Sequence, residues 1–212
     1  MTTVASRSPK RVRLAPEVRR GQLIDAATTL VLEQAHLPVS LERLGEAAGA
    51  SKALIYAYFP TQYDLFNAVL ARGFEALSEA GLLQATEARP FATAVHRCAV
   101  IYFDHVATAG PLIHFILRDH FMIGKVSVAN RRCRDLIALR LARMARRELR
   151  FAAKENIATF NLVVTIPELA GRMAWKGEME RERARELMSD LISSSLEAFA
   201  PSRAAPRRPA GL

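Results

Sequence analysis

The stretch SLERLGEAAGASKALIYAYFPTQYDLF, residues 40–66, decides how this chain folds. It predicts a helix, a tight turn, a short second helix and the start of a third. Ser40 is placed to cap the first of these by accepting from backbone N–H groups in its opening turn. Val39 and Leu44 stand at the hydrophobic-staple positions on either side of it. Leu41, Leu44 and Ala48 recur at helical spacing and give the helix one apolar face. Gly49 follows, where helices end in the left-handed region that glycine reaches cheaply. Ser51 caps again, Ile55 and Phe59 lie four apart on one face, and Pro60 disfavours helical geometry at Phe59. Thr61 with Asp64 forms a capping-box-like start for the next helix, which Leu65, Phe66, Val69 and Leu70 carry onward. Two short helices joined by a glycine-containing turn make a helix-turn-helix. Its second helix offers Lys52, Ala53, Leu54, Tyr56 and Ala57 outward. A helix N-terminus with free N–H groups suits an anionic backbone, so the expectation is a reader of duplex DNA.

Working outward, RRGQLIDAATTLVLEQ (19–34), SLERLGEAAGASKALIYAYF (40–59) and PTQYDLFNAVL (60–70) together resemble the DNA-binding domain of the TetR family of bacterial transcriptional regulators. The specific part is AAGASK paired with IYAYFPT and then DLF. The resemblance implies that Lys52 touches a base edge or a phosphate. It also implies that Tyr56 and Tyr58 contact the DNA backbone, fixing register without reading sequence. For Tyr58 a packed aromatic under the helix is the competing reading. Ser40 and Ser51 are caps whose neighbouring N–H groups can also meet phosphate, while Ala53 and Leu54 can touch a thymine methyl. The chain departs from the family at four places. Leu54 replaces a small hydroxyl residue, Ala57 a polar or aromatic one, Gln62 a lysine, and His36-Leu37 a glycine-containing connection. One expected phosphate charge is thereby missing, and the basic N-terminal arm is a candidate to supply it.

The resemblance further implies an all-α fold, with a helix-turn-helix DNA-binding domain followed by a helical ligand-binding and dimerisation domain. The expected division is 1–14 as a disordered basic arm, 15–62 as the DNA-binding domain, 63–200 as the effector domain and 201–212 as a disordered tail. The last two helices, about 155–199, would pair with a second copy as a four-helix bundle. One short helix covers only a few base pairs, so a homodimer reading an inverted-repeat operator is expected on geometric grounds as well. The implied activity is that of a repressor released from its operator by a small molecule.

Composition sets the bounds. The 212 residues carry a net charge of +9, 50 % are hydrophobic, and mean hydropathy is +0.06. Abundant Ala, Leu, Arg and Glu argue for helices, and the basic balance fits an anionic partner. Cys98 and Cys133 stand far apart in no CxxC pattern, against a disulfide framework or zinc site and consistent with a reducing cytoplasm. No apolar run approaches the roughly 18 residues of a membrane span, and no apolar h-region follows the basic N-terminus, so a cytoplasmic protein without a membrane partner is expected. No G-x-S-x-G, Walker loop, H-E-x-x-H or nucleotide-binding glycine pattern occurs, which argues against an enzyme and offers no cofactor. A DNA-organising protein without operator preference is the remaining rival.

Along the chain, Pro16 and Glu17 suit the first turn of a helix. Arg19 and Arg20 either reach phosphate or form its solvated end. A fourth helix is expected from Gln62 to about Leu82, a break at 84–90, a helix from Pro90 to about Ala109, and a short helix in PLIHFILRDHF. A long helix from Asn130 to Phe151 carries Arg132, Arg140, Arg143, Arg146, Arg147 and Arg150 around the apolar stripe Cys133, Ile137, Leu141 and Met144. Such charge runs are usually solvated faces, with Asp135 and Glu148 available as helix-spaced partners. Candidates for an effector pocket are His96, Tyr102, His105, Phe115, Phe121 and Trp175, with His114 and His120 beside them, although aromatics at helical spacing serve more often as core. The histidines lack metal-ligand spacing.

Overall fold

The computed structural model describes residues 15–148 and 153–199, with the side chains of 153–163 and 199 left out. The expectations for 1–14, 149–152 and 201–212 lie outside that range. Among the described residues there are helices and no strand. α1 (Pro16–Gln34), α2 (Leu41–Ala48) and α3 (Lys52–Tyr58) form the N-terminal head, and α4 (Gln62–Glu79) leaves it. α5 (Leu82–Ala85), α6 (Phe91–Ala109) and α7 (Leu112–Arg118) follow, then a 3-10 turn at His120–Met122. α8 (Val128–Glu148), α9 (Ala153–Trp175) and α10 (Arg181–Phe199) complete the body.

Local chemistry sets most boundaries. Ser40 Oγ accepts from Arg43 N–H at 3.3 Å, and Ser51 Oγ from Leu54 N–H at 3.2 Å. Each such cap contributes about 1 kcal/mol. Gly49 ends α2 at φ 58°, and Thr61 and Asp64 exchange both capping-box bonds. Val39 and Leu44, the staple pair, are both buried.

The fourth helix stops earlier than the sequence predicts. Gly81, at φ 87°, turns the chain after Ala80, and a separate single turn, α5, then buries Leu82 and Ala85. The expected break at 84–90 is therefore helical at its start.

The arginine helix differs in its partners. Asp135 pairs with its neighbour Arg134 at 2.8 Å. Among the described residues Glu148 pairs with no arginine: its Oε2 accepts from Phe91 N–H at 2.8 Å, capping α6, where Pro90 at the cap position has no polar side chain to offer. Arg140 instead reaches across to Glu87 at 3.1 Å and to Thr86 Oγ1 and Leu83 O at 3.2 Å. The helix begins two residues earlier than expected, at Val128, with Ser127 Oγ accepting from Asn130 N–H.

In the body, α6 lies against α9 and α10. Gly171 permits the close approach of α9, because a Cβ there would meet Val106 Cβ at 2.8 Å and Phe103 O at 3.0 Å. The buried core runs from Leu23 of α1 through Phe66 and Leu70 of α4 to Ile192 of α10.

Candidate nucleic-acid interface and internal cavity

The helix-turn-helix is held at its crossing by a glycine. A Cβ on Gly45 would stand 2.6 Å from Ala50 O, while Ala50 N–H donates to Gly45 O at 2.9 Å. Arg19 donates to Ala48 O at 3.1 Å, and Arg20 lies over the Phe59 ring at 5.2 Å. Both arginines thus brace the head.

On α3, Lys52, Ala53, Tyr56 and Ala57 are exposed, and Leu54 and Tyr58 are half-buried. Tyr56 stands 42 % exposed, a large aromatic on an otherwise small-residue face. Tyr58 packs against the core. With Leu54 N–H taken by Ser51, the N–H groups of Lys52 and Ala53 remain at the open end of the helix. Ser40 Oγ also donates to Glu42 Oε2 at 2.8 Å. Gln62 has a different occupation: it accepts from Val39 N–H at 3.2 Å and donates to Val39 O at 3.1 Å. Its amide clamps α4 to the strap before α2. Lysine there could not accept the first of those bonds.

One dock joins this head to the body, and a second fastens α4, the helix leaving the head, to the start of α8. Leu37 N–H, in the strap between α1 and α2, donates to Asp119 Oδ2 at 2.8 Å, and Asp119 Oδ1 accepts from Phe121 N–H at 2.9 Å. Asn67 of α4 is the second. Its Oδ1 accepts from Ser127 N–H at 2.7 Å and Asn130 Nδ2 at 3.1 Å, and its Nδ2 donates to Lys125 O at 2.9 Å. Phe121 stacks on Tyr63 at 4.5 Å, and the Lys125 ammonium lies 5.2 Å from the centre of the same ring.

Inside the body, α4 to α10 line a partly open cavity of about 400 Å³, within the range of small-molecule sites. Its wall is apolar through Leu77, Val95, Ala99, Ile113, Ile137 and Leu141, and carries Tyr102, His114, Arg118 and Arg134. Burial pushes the Tyr102 hydroxyl far above its ordinary range, and the charge of Glu168 adds to the rise. Burial holds His114 below the usual imidazole value against the opposing pull of Glu168, and Arg118 and Arg172 lower it further.

Of the six pocket residues named from sequence, Tyr102 alone is on this wall, joined by His114. Phe121 is spent on Tyr63 and Phe66. Trp175 packs over Gly110, where a Cβ would come within 3.0 Å of its ring. Phe115 meets His114 edge-on at 6.3 Å. His105 sits beside Gly73, and His96 is half-buried elsewhere on α6. Sequence reasoning missed Arg118 and Arg134 on the wall and the buried Glu168 behind it. The last had a signal, a single acid inside the apolar run NLVVTIPELAG.

The helical chain thus carries a capped helix-turn-helix near its N-terminus and a ligand-sized cavity among its later helices. The family model for bacterial regulatory proteins of the tetR family matches residues 23–69, the stretch that holds the helix-turn-helix. It is 27 % identical over 131 residues to the HTH-type transcriptional activator FasR of Mycolicibacterium smegmatis, a match spanning 59 % of this chain and 59 % of that one. In fold it is similar to a TetR-like transcriptional regulator from Rhodococcus sp. RHA1, with a TM-score of 0.64 and 21 % identity, covering 87 % of this chain and 99 % of the other. It is likewise similar to LfrR from Mycobacterium smegmatis in complex with proflavine, with a TM-score of 0.57 and 18 % identity over 88 % and 99 % of the two chains. No single helix among the described residues is long and apolar enough to cross a membrane.

Proposed function

We propose that the chain is a homodimeric, ligand-responsive repressor working on cytoplasmic DNA. Residues 15–62 read one half of an inverted-repeat operator, and residues 63–200 dimerise and take a small molecule. The observation that carries the ligand response is the bond from Leu37 N–H to Asp119, which adjoins Arg118 of the cavity wall. A ligand that repositions α7 therefore acts on the strap leading into α2. That strap is also what Gln62 clamps to α4. Binding would shift the population toward head spacings that no longer match the operator.

Dimerisation through α9 and α10 is supported by an apolar groove along Ile166, Leu169, Met173, Leu187, Met188 and Leu191. Leu169 is 42 % and Leu191 55 % exposed in the single chain, and exposed side chains of this kind, grouped along one groove, mark interaction surfaces.

The DNA contacts are assigned to Lys52, Ala53, Tyr56 and Ala57 on the exposed face of α3, with Ser40, Ser51, Leu54 and Tyr58 at its margins. Gln62 contributes by fixing α4 rather than by charge. Lys52→Ala should weaken operator binding and reduce the salt slope by about one. Tyr56→Phe should weaken it by removing a hydroxyl that donates to phosphate. Fluorescence anisotropy across a salt series reads both, and unchanged affinity in both variants would remove α3 as the reading helix.

Asp119→Ala should cost about 1–2 kcal/mol, because the N–H of the buried Leu37 loses its acceptor in a part-buried bond. Hydrogen exchange at Leu37 should quicken while Lys52-dependent DNA binding persists. Unaltered exchange at Leu37 would break the proposed link between cavity and head.

The reading as a whole is tested by selecting duplexes from a random pool with the purified protein, then placing the enriched site before a reporter gene. An enriched inverted repeat with reduced reporter output supports a repressor. A second reading, activation, is favoured by the name of the FasR relative, and increased output would establish it instead. Binding to all duplexes without enrichment would mean a DNA-organising protein.

A further inference from the structure

Glu168 is 4 % exposed. Its Oε2 lies 3.5 Å from His114 Nδ1, and its Oε1 is the one buried side-chain polar atom among the described residues that has no hydrogen-bond partner. A carboxylate oxygen in that position carries its full desolvation cost until a donor reaches it. Glu168 lies directly behind the cavity wall rather than on it. Val164, one helical turn earlier on α9, and the adjacent Pro167 are both wall residues. So are Tyr102 and His114, the two groups on which the charge of Glu168 acts. Proline at 167 also removes the donor that would have paired the carbonyl one turn before it, so this part of α9 is short of donors twice over.

The surrounding charges narrow what can supply one. Arg118 has no ion-pair partner among the described residues and lies on the wall. Both it and Arg172 are close enough to disfavour a proton on His114. A cationic ligand brought to Glu168 would meet two guanidinium groups. An anionic head would face the Glu168 charge in a poorly solvated setting and leave Oε1 without a donor. A neutral hydroxyl or amide avoids both penalties, because it donates to Oε1 and keeps an acceptor for Arg118. Arg134, the other guanidinium on the wall, is already paired with Asp135 at 2.8 Å, and Leu77, Val95, Ala99, Ile137 and Leu141 offer apolar contact.

We propose that the cavity takes an apolar molecule whose head is an uncharged hydrogen-bond donor, a hydroxyl or an amide N–H, bound at Glu168 Oε1. This rests on reading the cavity as the effector site. Glu168 selects the head group, Arg118 donates to the oxygen of that head, and the aliphatic wall holds the body.

The test uses three probes with one ten-carbon chain: 1-decanol, decanoate and decyltrimethylammonium. Each is titrated calorimetrically below its aggregation limit into the full-length protein and into Glu168→Leu and Glu168→Gln. The expected result is that decanol binds at least about tenfold more tightly than the other two, the scale of a hydrogen bond to a charged group. Glu168→Leu should lose that preference while still binding the chain. Glu168→Gln, which keeps an acceptor oxygen, should retain most of it. Melting curves show whether the leucine variant folds. Its melting temperature should not fall, since removing an orphaned buried charge is neutral or stabilising, and should it fail to fold the glutamine variant carries the comparison. Tighter binding of decanoate or of the ammonium, or a decanol preference that survives Glu168→Leu, overturns the assignment of the head group and leaves the effector site standing. If no probe binds and Ala99→Trp, which fills the cavity, leaves melting and DNA binding unaltered, the effector-site reading itself fails.

Discussion

Gly45→Ala should distort the crossing of α2 and α3 in the reading head and reduce operator affinity by well over tenfold. The added methyl would stand 2.6 Å from the carbonyl oxygen of Ala50. That oxygen is backbone, in the tight connection whose N–H is already bonded to Gly45 O, so no side chain can turn aside to relieve the clash. Overpacking of this kind costs about 1–3 kcal/mol, and here the relief would have to come from the angle between α2 and α3. Helix propensity works the other way, favouring alanine over glycine by up to about 1 kcal/mol, and it is the smaller effect. Gly21→Ala is the internal control. It is also helical, and a Cβ there meets nothing within 4 Å, so propensity alone acts and the variant should be as stable as the parent or slightly more so. Thermal unfolding and anisotropy on both variants separate the two effects. A Gly45→Ala protein that melts with the parent would show that the crossing is looser than this geometry requires.

Leu191→Glu should convert the protein to monomers and lower operator affinity on the order of 100-fold, the scale set by losing the effective concentration of a linked second head. Leu191 is 55 % exposed in the single chain and lies in the apolar groove between α9 and α10. The substitution therefore removes little from the fold of one subunit, where surface changes usually stay within about 0.5 kcal/mol. Across a two-fold interface the same change enters twice and buries two carboxylates without partners. Sedimentation gives the mass and anisotropy gives the affinity. A variant that remains dimeric would move the interface away from this groove, while a monomer that still binds a full operator tightly would make dimerisation irrelevant to reading.

Much of the head is legible in residues 40–66 because its determinants are local. Ser40, Ser51 and the Thr61–Asp64 pair act on N–H groups within three residues of themselves, and Gly49 supplies a positive φ at its own position. The body is legible only as helices. α5 escapes the sequence reading because a single turn is too short to carry a periodic pattern; what forms it is the burial of Leu82 and Ala85.

Partner choice is hidden for a different reason. Arg140 finds Glu87 across 53 residues, Glu148 finds Phe91 N–H across 57, and Leu37 finds Asp119 across 82. No helical spacing rule reaches that far. Gln62 illustrates the same limit within the head. The sequence marks it as a departure from a lysine, and the tertiary structure gives it the Val39 backbone to hold.

The sequence by itself determined that the chain is helical, where the helix-turn-helix lies and which side chains α3 leaves outward, since capping, turn chemistry and periodicity act over a few residues. Only the tertiary structure decided where the cavity lies and which side chains line it. A cavity is volume that neighbouring helices fail to fill, and that depends on how α4, α6, α7, α8 and α9 come together, as does the burial of Glu168 with one oxygen left unpaired.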